Sequence, residues 1–480
     1  MLPARHICFL ALLIASLAFG QVNITISNDR FSGINSAVIS PTQPFMNPNP
    51  WDINLAAEHA FLENDYLYIS KQSLLGLKNA EIESARPRQN ISGENTANVL
   101  DFYNRDFGNY HLSSEVLGPS FSVAATVMEK SFVVGLFTRL RTQSAALDVD
   151  NYLKFSNQRL TEPELYTLQP LEFNVMNWAE LGFNFSTELF PYSDYQWIIG
   201  GNIKYEVGLD AAMVRSTSPL QLVRTSETID GTTSKTITAY NFNLETSFVT
   251  NYNFETSSYE LKPQGKGLGI DFGIAVLDNR EEIADYRFKA AINILDVGKI
   301  NFSGENHRFN GQQLVVVNNP NIENTRLESP QKIMRLLSEE VYGDENASFQ
   351  GTDFSIGLPT SVHVNFSWGL GSDRFIHTDW IQRVPVFENS LRRSNLFSAS
   401  YSVQKPALGY GVSASLYEYR AFHVGGYLRI GPLILGSQNV FPLFMKQKKL
   451  HSADFYVALK LYPFWDTEFK RHRRADCYCD

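Results

Sequence analysis

Cysteine is nearly absent from this 480-residue chain: there are three, and only Cys477 and Cys479 lie beyond the first 20 residues. That excludes a disulfide-built scaffold. Charge is also sparse, at 19% Asp, Glu, Lys and Arg, against about 25% in an average soluble protein. No basic excess exists, since 41 Lys and Arg face 50 Asp and Glu for a net charge of -9, so no nucleic-acid partner is expected. After the first 20 residues no stretch of 18 uninterrupted apolar residues occurs, and no transmembrane helix is expected. Catalytic signatures are missing too. The chain has no Gly-x-Ser-x-Gly elbow, no His-Glu-x-x-His pair and no phosphate loop, so no enzyme activity, cofactor or resident metal is expected. Asp148-Val149-Asp150-Asn151 looks like the start of a calcium loop but lacks the later Gly and Glu. What the chain has in plenty is aromatics, with 34 Phe and 22 Tyr making up most of a 13% share. Disordered chains are poor in such residues.

Residues 1–20 read as a secretory signal. Arg5 and the α-amino group supply the positive end, Cys8 to Leu17 the apolar run, and Ala18-Phe19-Gly20 the small residues at a cleavage site. The mature chain is expected to begin at Gln21. Residues 21–50, rich in Asn, Ser and Pro, read either as an N-terminal plug or as a lead-in.

From Trp51 onward, apolar residues recur with period two. Val362, Val364, Phe366, Trp368 and Leu370 alternate with Ser361, His363, Asn365, Ser367 and Gly369; Leu268, Ile270, Phe272 and Ile274 alternate with Gly267, Gly269, Asp271 and Gly273. Successive strand side chains point to opposite faces, so each run has one apolar and one small or polar face. A soluble sandwich buries the apolar face; a membrane barrel turns it to lipid. Run lengths near the ~9–11 residues of a tilted spanning strand, together with aromatics near strand ends, favour the barrel. The expected fold is all-β: a transmembrane antiparallel β-barrel of about 14 strands over residues 51–465, with an N-terminal plug or lead-in segment and a basic tail at 466–480. Two insertions interrupt the rhythm, at 141–173 and 310–356. A short helix is expected around Ala145 to Phe155. A second is expected after Ser329-Pro330, where Ile333, Met334, Leu336, Leu337 and Val341 form an apolar stripe that plugs the lumen or covers a rim.

Several motifs recur in a recognisable order: Asn47-Pro48-Asn49-Pro50-Trp51, Trp178-Ala179-Glu180-Leu181-Gly182, Lys204 to Gly208, Gly265 to Gly273, Leu295-Asp296-Val297-Gly298-Lys299-Ile300, Leu358-Pro359, and Gly425 to Gly431-Pro432-Leu433 before a last strand at Ala453 to Phe464. The series resembles the uncharacterised outer-membrane barrels of Bacteroidota grouped as domain-of-unknown-function family 5723. That family is similar in outline to fatty-acid-transport-type barrels and to barrels associated with type IX secretion. The resemblance implies a 14-stranded barrel with an N-terminal plug. It carries no function, because a shared fold does not fix one.

The expected lumen lining includes Lys204, Glu206, Asp210, Asp271, Lys289, His363, His423, Arg429 and Lys460 among many Gly, Ser, Ala and Asn. His363 and Ser367 share a face but stand about 13 Å apart at ~3.3 Å per residue, too far to bond, so any partner for either must come from another strand. In the tail, Cys477-x-Cys479 with His472 and Asp476 makes a poor closed metal site. Two readings of function follow: a transport barrel for a hydrophobic or amphipathic small-molecule ligand, gated by residues 21–50 or by the Ser329 to Tyr342 helix, or a scaffold that serves secretion or assembly. Outer-membrane lipid and the barrel-insertion machinery are expected partners; the oligomeric state is open.

Overall fold

The computed structural model describes residues 24–465, apart from 81, 85–97, 104–105, 129, 151–163, 191–194, 230–231, 241, 279–285, 312–314, 318–328 and 372. The expected signal segment of residues 1–20 and the tail with Cys477 and Cys479 lie outside the described residues.

Strong alternation over long runs yields one large antiparallel sheet. It closes because its first strand pairs with its last, from Ile53 opposite Leu461 to Glu63 opposite Ser452. The barrel strands are β1 (Trp51–Asn64), β2 (Phe107–Leu117 and Ser120–Val127), β3 (Lys130–Asp150), β4 (Glu172–Glu188), β5 (Tyr195–Ser216), β6 (Phe242–Val249 and Gly265–Asp278), β7 (Phe288–Gly311), β8 (Phe349–Gly357 and Ser361–Gly371), β9 (Arg374–Arg383), β10 (Leu396–Gln404), β11 (Leu408–Tyr417), β12 (Ala421–Ile430), β13 (Leu433–Ser437) and β14 (Ser452–Leu461). Three of them are broken. Both pieces of β2 pair with β1 and β3, both pieces of β6 with β5 and β7, and both pieces of β8 with β7. The break in β2 falls at Gly118-Pro119, and Pro119 has no N–H for the ladder. The count is therefore 14, an even number that lets every neighbour be antiparallel through the closure.

The two rims differ. At one, strands are joined by short turns, such as Gly431-Pro432, and Trp51 and Leu461 lie there. At the other stand the long connections 65–106, 217–241, 312–348, 384–395 and 438–451. The wall is also uneven: β3, β5 and β7 run 21, 22 and 24 residues, whereas β9 and β14 run 10.

The outside is apolar and the inside polar. Leu181, Ile203, Leu268, Phe272, Phe366 and Val412 are exposed on the outer face, with Ile203 and Leu268 each at 62%. Inward positions such as Asn202, Ser367, Ser398 and Ser415 are buried. A soluble sandwich shows the reverse. Among the described residues no helix is long and apolar enough to cross a membrane.

Two expectations change, and a third resolves between its alternatives. No helix forms near Ala145: β3 continues to Asp150, with Ala145 and Ala146 opposite Asn174 and Phe173, and residues 151–155 lie outside the described residues. The interruptions are shorter than 141–173 and 310–356, because β3 and β7 run on and β4 and β8 resume early. The second helix, α1 (Pro330–Tyr342), does form. Ser329 caps it by accepting from Lys332 N at 3.1 Å, and Gly343 ends it at φ 73°. It covers the rim rather than plugging the lumen. Its apolar stripe is only half-buried, its Tyr342 ring stacks at 6.3 Å on Phe309, and the Tyr342 hydroxyl accepts from Asn310 N.

Candidate functional site: the plugged lumen

Residues 24–49 are all buried within the barrel. The Asn, Ser and Pro that suppress regular structure here make successive turns instead. Asp29 Oδ1 accepts from Phe31 N, and Ser36 Oγ donates to Gly33 O at 2.6 Å. Gly33 has φ +49°, and a Cβ on it would lie 2.3 Å from Asp52 Oδ2, so only glycine fits this turn against the wall.

Polar groups of the wall hold this plug at many points. Arg429 donates to both oxygens of Asp29 (3.1 and 3.2 Å), and the Tyr427 hydroxyl donates to Asp29 at 2.8 Å. Lys460 donates to Phe31 O and Ser32 O and pairs with Asp52 at 2.5 Å. Asn202 donates to Ala37 O, Asn184 to Pro41 O, and Lys289 to Gln43 Oε1 at 2.9 Å. His363 places Nδ1 3.1 Å from Ile39 O and Nε2 2.9 Å from Asp379. Apolar anchors sit between these bonds. Ile26, Ile34 and Val38 pack with Leu117, Phe137 and Tyr456; Phe45 and Met46 pack with Val133, Ile198 and Phe375; Ile24 and Ile39 pack with Phe61, Leu295 and Leu396.

Toward the long-loop rim, a buried charge cluster crosses the lumen. Arg139 reaches Glu180 at 2.6 Å and Glu115 at 2.9 Å; Arg141 reaches Glu180 at 2.9 Å and Asp296 at 3.0 Å; Lys204 reaches Asp271 at 2.9 Å and also Asp296. Trp178 Nε1 donates to Glu180, and the Arg141 guanidinium lies 4.6 Å from the Trp178 ring centroid. Glu206 is fully buried beside them with neither carboxylate oxygen hydrogen-bonded.

The connection 384–395 then folds across the mouth. Arg393 pairs with Asp296 at 2.7 Å and Arg392 with Glu172 at 2.9 Å; Leu391 is 2% exposed among side chains of β4, β5, β7 and β8. Burial pushes the Arg393 guanidinium below its ordinary pKa, partly offset by Asp296. At the same rim, burial would raise the Glu418 carboxyl, but His111, Arg383 and the backbone N–H of Asn395 hold it below its ordinary value.

The expected lining residues fall into separate groups. Lys204, Glu206 and Asp271 belong to the charge cluster, Lys289 and His363 meet the middle of the plug, and Arg429 and Lys460 clamp its Asp29–Ser32 stretch. His423 stands apart at the long-loop rim, 2.8 Å from Glu63. Asp210 does not face the lumen. A bulge between Gly208 and Asp210 reverses the alternation, and Asp210 instead accepts from Asn251 N and the exposed Tyr259 hydroxyl. A second irregularity turns both Leu295 and Asp296 inward, with Asp296 at φ 55°. Sequence reasoning missed Asp296 as a lining residue because strict alternation assigns it outward. It also missed Arg139, Arg141 and Glu180, although Leu140 separates the two arginines and Ala179 and Leu181 flank the glutamate. Ser367 does find a partner on another strand, His377 Nδ1 at 2.7 Å. The other ring nitrogen of His377 faces Ser402, so no carboxylate orients the imidazole as a hydrolase triad requires.

Fold and site together define a closed 14-stranded antiparallel barrel whose lumen is filled by its own N-terminal segment. Residues 67–438 match the family of unknown function DUF5723, and the chain belongs to that family. No curated protein matches the sequence. Among solved structures, the chain is similar to the deltaS2S3 mutant of the TodX monoaromatic hydrocarbon channel, with 9% identity over 93% of this chain and 97% of that one at a TM-score of 0.27. It is also similar to the toluene transporter TodX of P. putida (9% identity, 90% and 94% coverage, TM-score 0.28). A third such structure is the toluene transporter TbuX of Ralstonia pickettii (8% identity, 93% and 98% coverage, TM-score 0.24).

Proposed function

We propose that this protein is an outer-membrane barrel that passes a hydrophobic or amphipathic small molecule through its lumen, with residues 24–50 as the gate. The observation that carries the reading is the plug. It fills the lumen with turns held by side-chain hydrogen bonds and apolar contacts, and adds no strand to the barrel sheet. It can therefore leave without opening the sheet. The apolar outer face supports a place in lipid, where a closed barrel satisfies every backbone group with strands. The rim with short turns, where Trp51 opens the first strand and Leu461 closes the last, is the periplasmic one in this reading.

Deleting residues 24–50 tests the gate. The expected result is a large rise in single-channel conductance in planar bilayers and faster entry of an apolar dye into liposomes. Unchanged conductance refutes gating by this segment. Stoichiometric recovery of other envelope proteins after mild crosslinking, with no flux, supports the scaffold reading instead. Mass spectrometry of the barrel purified from its native membrane names the cargo if a stoichiometric apolar compound accompanies it.

A further inference from the structure

The long-loop mouth is closed by a different segment from the plug. Connection 384–395 leaves β9, crosses the barrel and returns to β10. It bonds to the far wall through side chains, Gln143 donating to Arg392 O and Asn174 to Ser390 O, and to the adjacent strand β8 through main chain, Gly357 N to Asn389 O and Leu391 N to Gly357 O. Leu391 fills an apolar pocket of Met176, Trp178, Met213, Ile300, Ile356 and Leu358. Directly after it in sequence, Arg392 and Arg393 reach Glu172 and Asp296.

An apolar side chain in a pocket, followed at once by cations on a half-buried and a buried carboxylate, is the pattern of a bound ligand. We propose that the mouth is a binding site for small apolar compounds bearing an amine or guanidine group, and that Leu391-Arg392-Arg393 occupies it as an internal surrogate. This rests on the transport reading and adds the substrate class.

The charge left behind sets the sign. Without Arg393, the cluster below the pocket keeps three cations, Arg139, Arg141 and Lys204. They face the carboxyl groups of Glu115, Glu180, Asp271, Asp296 and the unpaired Glu206. Glu172 at the pocket edge loses Arg392 as well when the whole segment lifts away. An arriving cation restores the balance, whereas a carboxylate worsens it. The surrogate is also imperfectly held, because Arg392 Nε and Arg393 Nη1 are buried without hydrogen-bond partners, and such groups carry a desolvation penalty.

The test uses the full chain in nanodiscs and three probes with one apolar body: 4-phenylbutylamine, 4-phenylbutanol and 4-phenylbutyrate. Calorimetry on the L391A/R393A variant should show the amine binding at least tenfold more tightly than to the wild type, with no such gain for the alcohol or the acid. A second variant covers failure of the first to fold. A Cβ on Gly357 would lie 2.4 Å from Ser390 Oγ, so Gly357→Cys with Ser390→Cys suits a disulfide, made with Cys477→Ser and Cys479→Ser. Oxidised, this tethered chain should lose amine binding; reduced, it should regain it. An equal gain for the acid, or amine binding unaffected by the tether, overturns the proposal. Dye flux through the chain lacking residues 24–50 is measured separately: binding without flux removes transport but keeps the site, and flux without binding does the opposite.

Discussion

Removing the Asp29 carboxylate should release the plug. Asp29 and Arg429 are each 1% exposed, and Arg429 donates to both Asp29 oxygens. Breaking a buried ion pair by deleting one partner costs about 3–5 kcal/mol, because the other charge stays buried. Arg429 keeps Pro406 O, Lys405 O and the Tyr462 hydroxyl as acceptors at 2.6–2.8 Å, so the lower end, about 3 kcal/mol, applies to Asp29→Ala. At 1.4 kcal/mol per tenfold change, the released population should rise about a hundredfold. Arg30, next in sequence and buried against Gln404 O, gives trypsin a cleavage point inside the plug. When opening is fast relative to cleavage, the cleavage rate follows the open population. Digestion of Asp29→Ala in vesicles should therefore be about a hundredfold faster at Arg30, and Asp29→Asn should fall between it and the wild type. Unchanged cleavage, with the barrel intact by urea unfolding, would refute the idea that this pair latches the plug.

Other outcomes follow from the same geometry. Ile34→Ala removes a fully buried anchor among Leu117, Phe137 and Tyr456, a change that costs about 2–5 kcal/mol; it should speed cleavage at Arg30 further when combined with Asp29→Ala. Gly33→Val meets both a positive φ and Asp52, so it should displace the plug while leaving barrel melting in detergent nearly unchanged. Ile203→Arg, on the exposed outer face, should lower the unfolding free energy in lipid vesicles by about 2–4 kcal/mol if that face meets lipid near mid-bilayer; no change there argues against the membrane reading. The depressed Glu418 carboxyl gives stability that is present above the ordinary carboxylate range and lost as pH falls through its folded value. Glu418→Gln should remove that acid-dependent loss, read as hydrogen exchange at Asn395.

How much of this was legible in the sequence depends on the length scale of the signal. Alternation over runs such as 361–370 reports directly which side chains share a face, because the period of a strand is a local property of the backbone. Closure into about 14 strands, the polar inward set and the Asn-, Ser- and Pro-rich break of residues 21–50 from the strand rhythm were therefore readable. Bulges defeat the same logic. One extra residue near Gly208 sends Asp210 outward, and another turns Asp296 inward, and neither leaves a local composition mark. The stretch from Ala145 toward Phe155 reads as helical because small residues relax the alternation, yet ladders with β4 through Leu147 and with β2 through Asp150 hold its described part extended.

The sequence by itself determined the strand period, the apolar outer face and the presence of a segment unfit for regular structure. Only the tertiary structure decided where that segment goes, which charges it meets, and that connection 384–395 seals the opposite mouth. The reason is physical. Face and period are set within a few residues, whereas Asp29 and Arg429 are 400 residues apart and meet only because the barrel closes around residues 24–49.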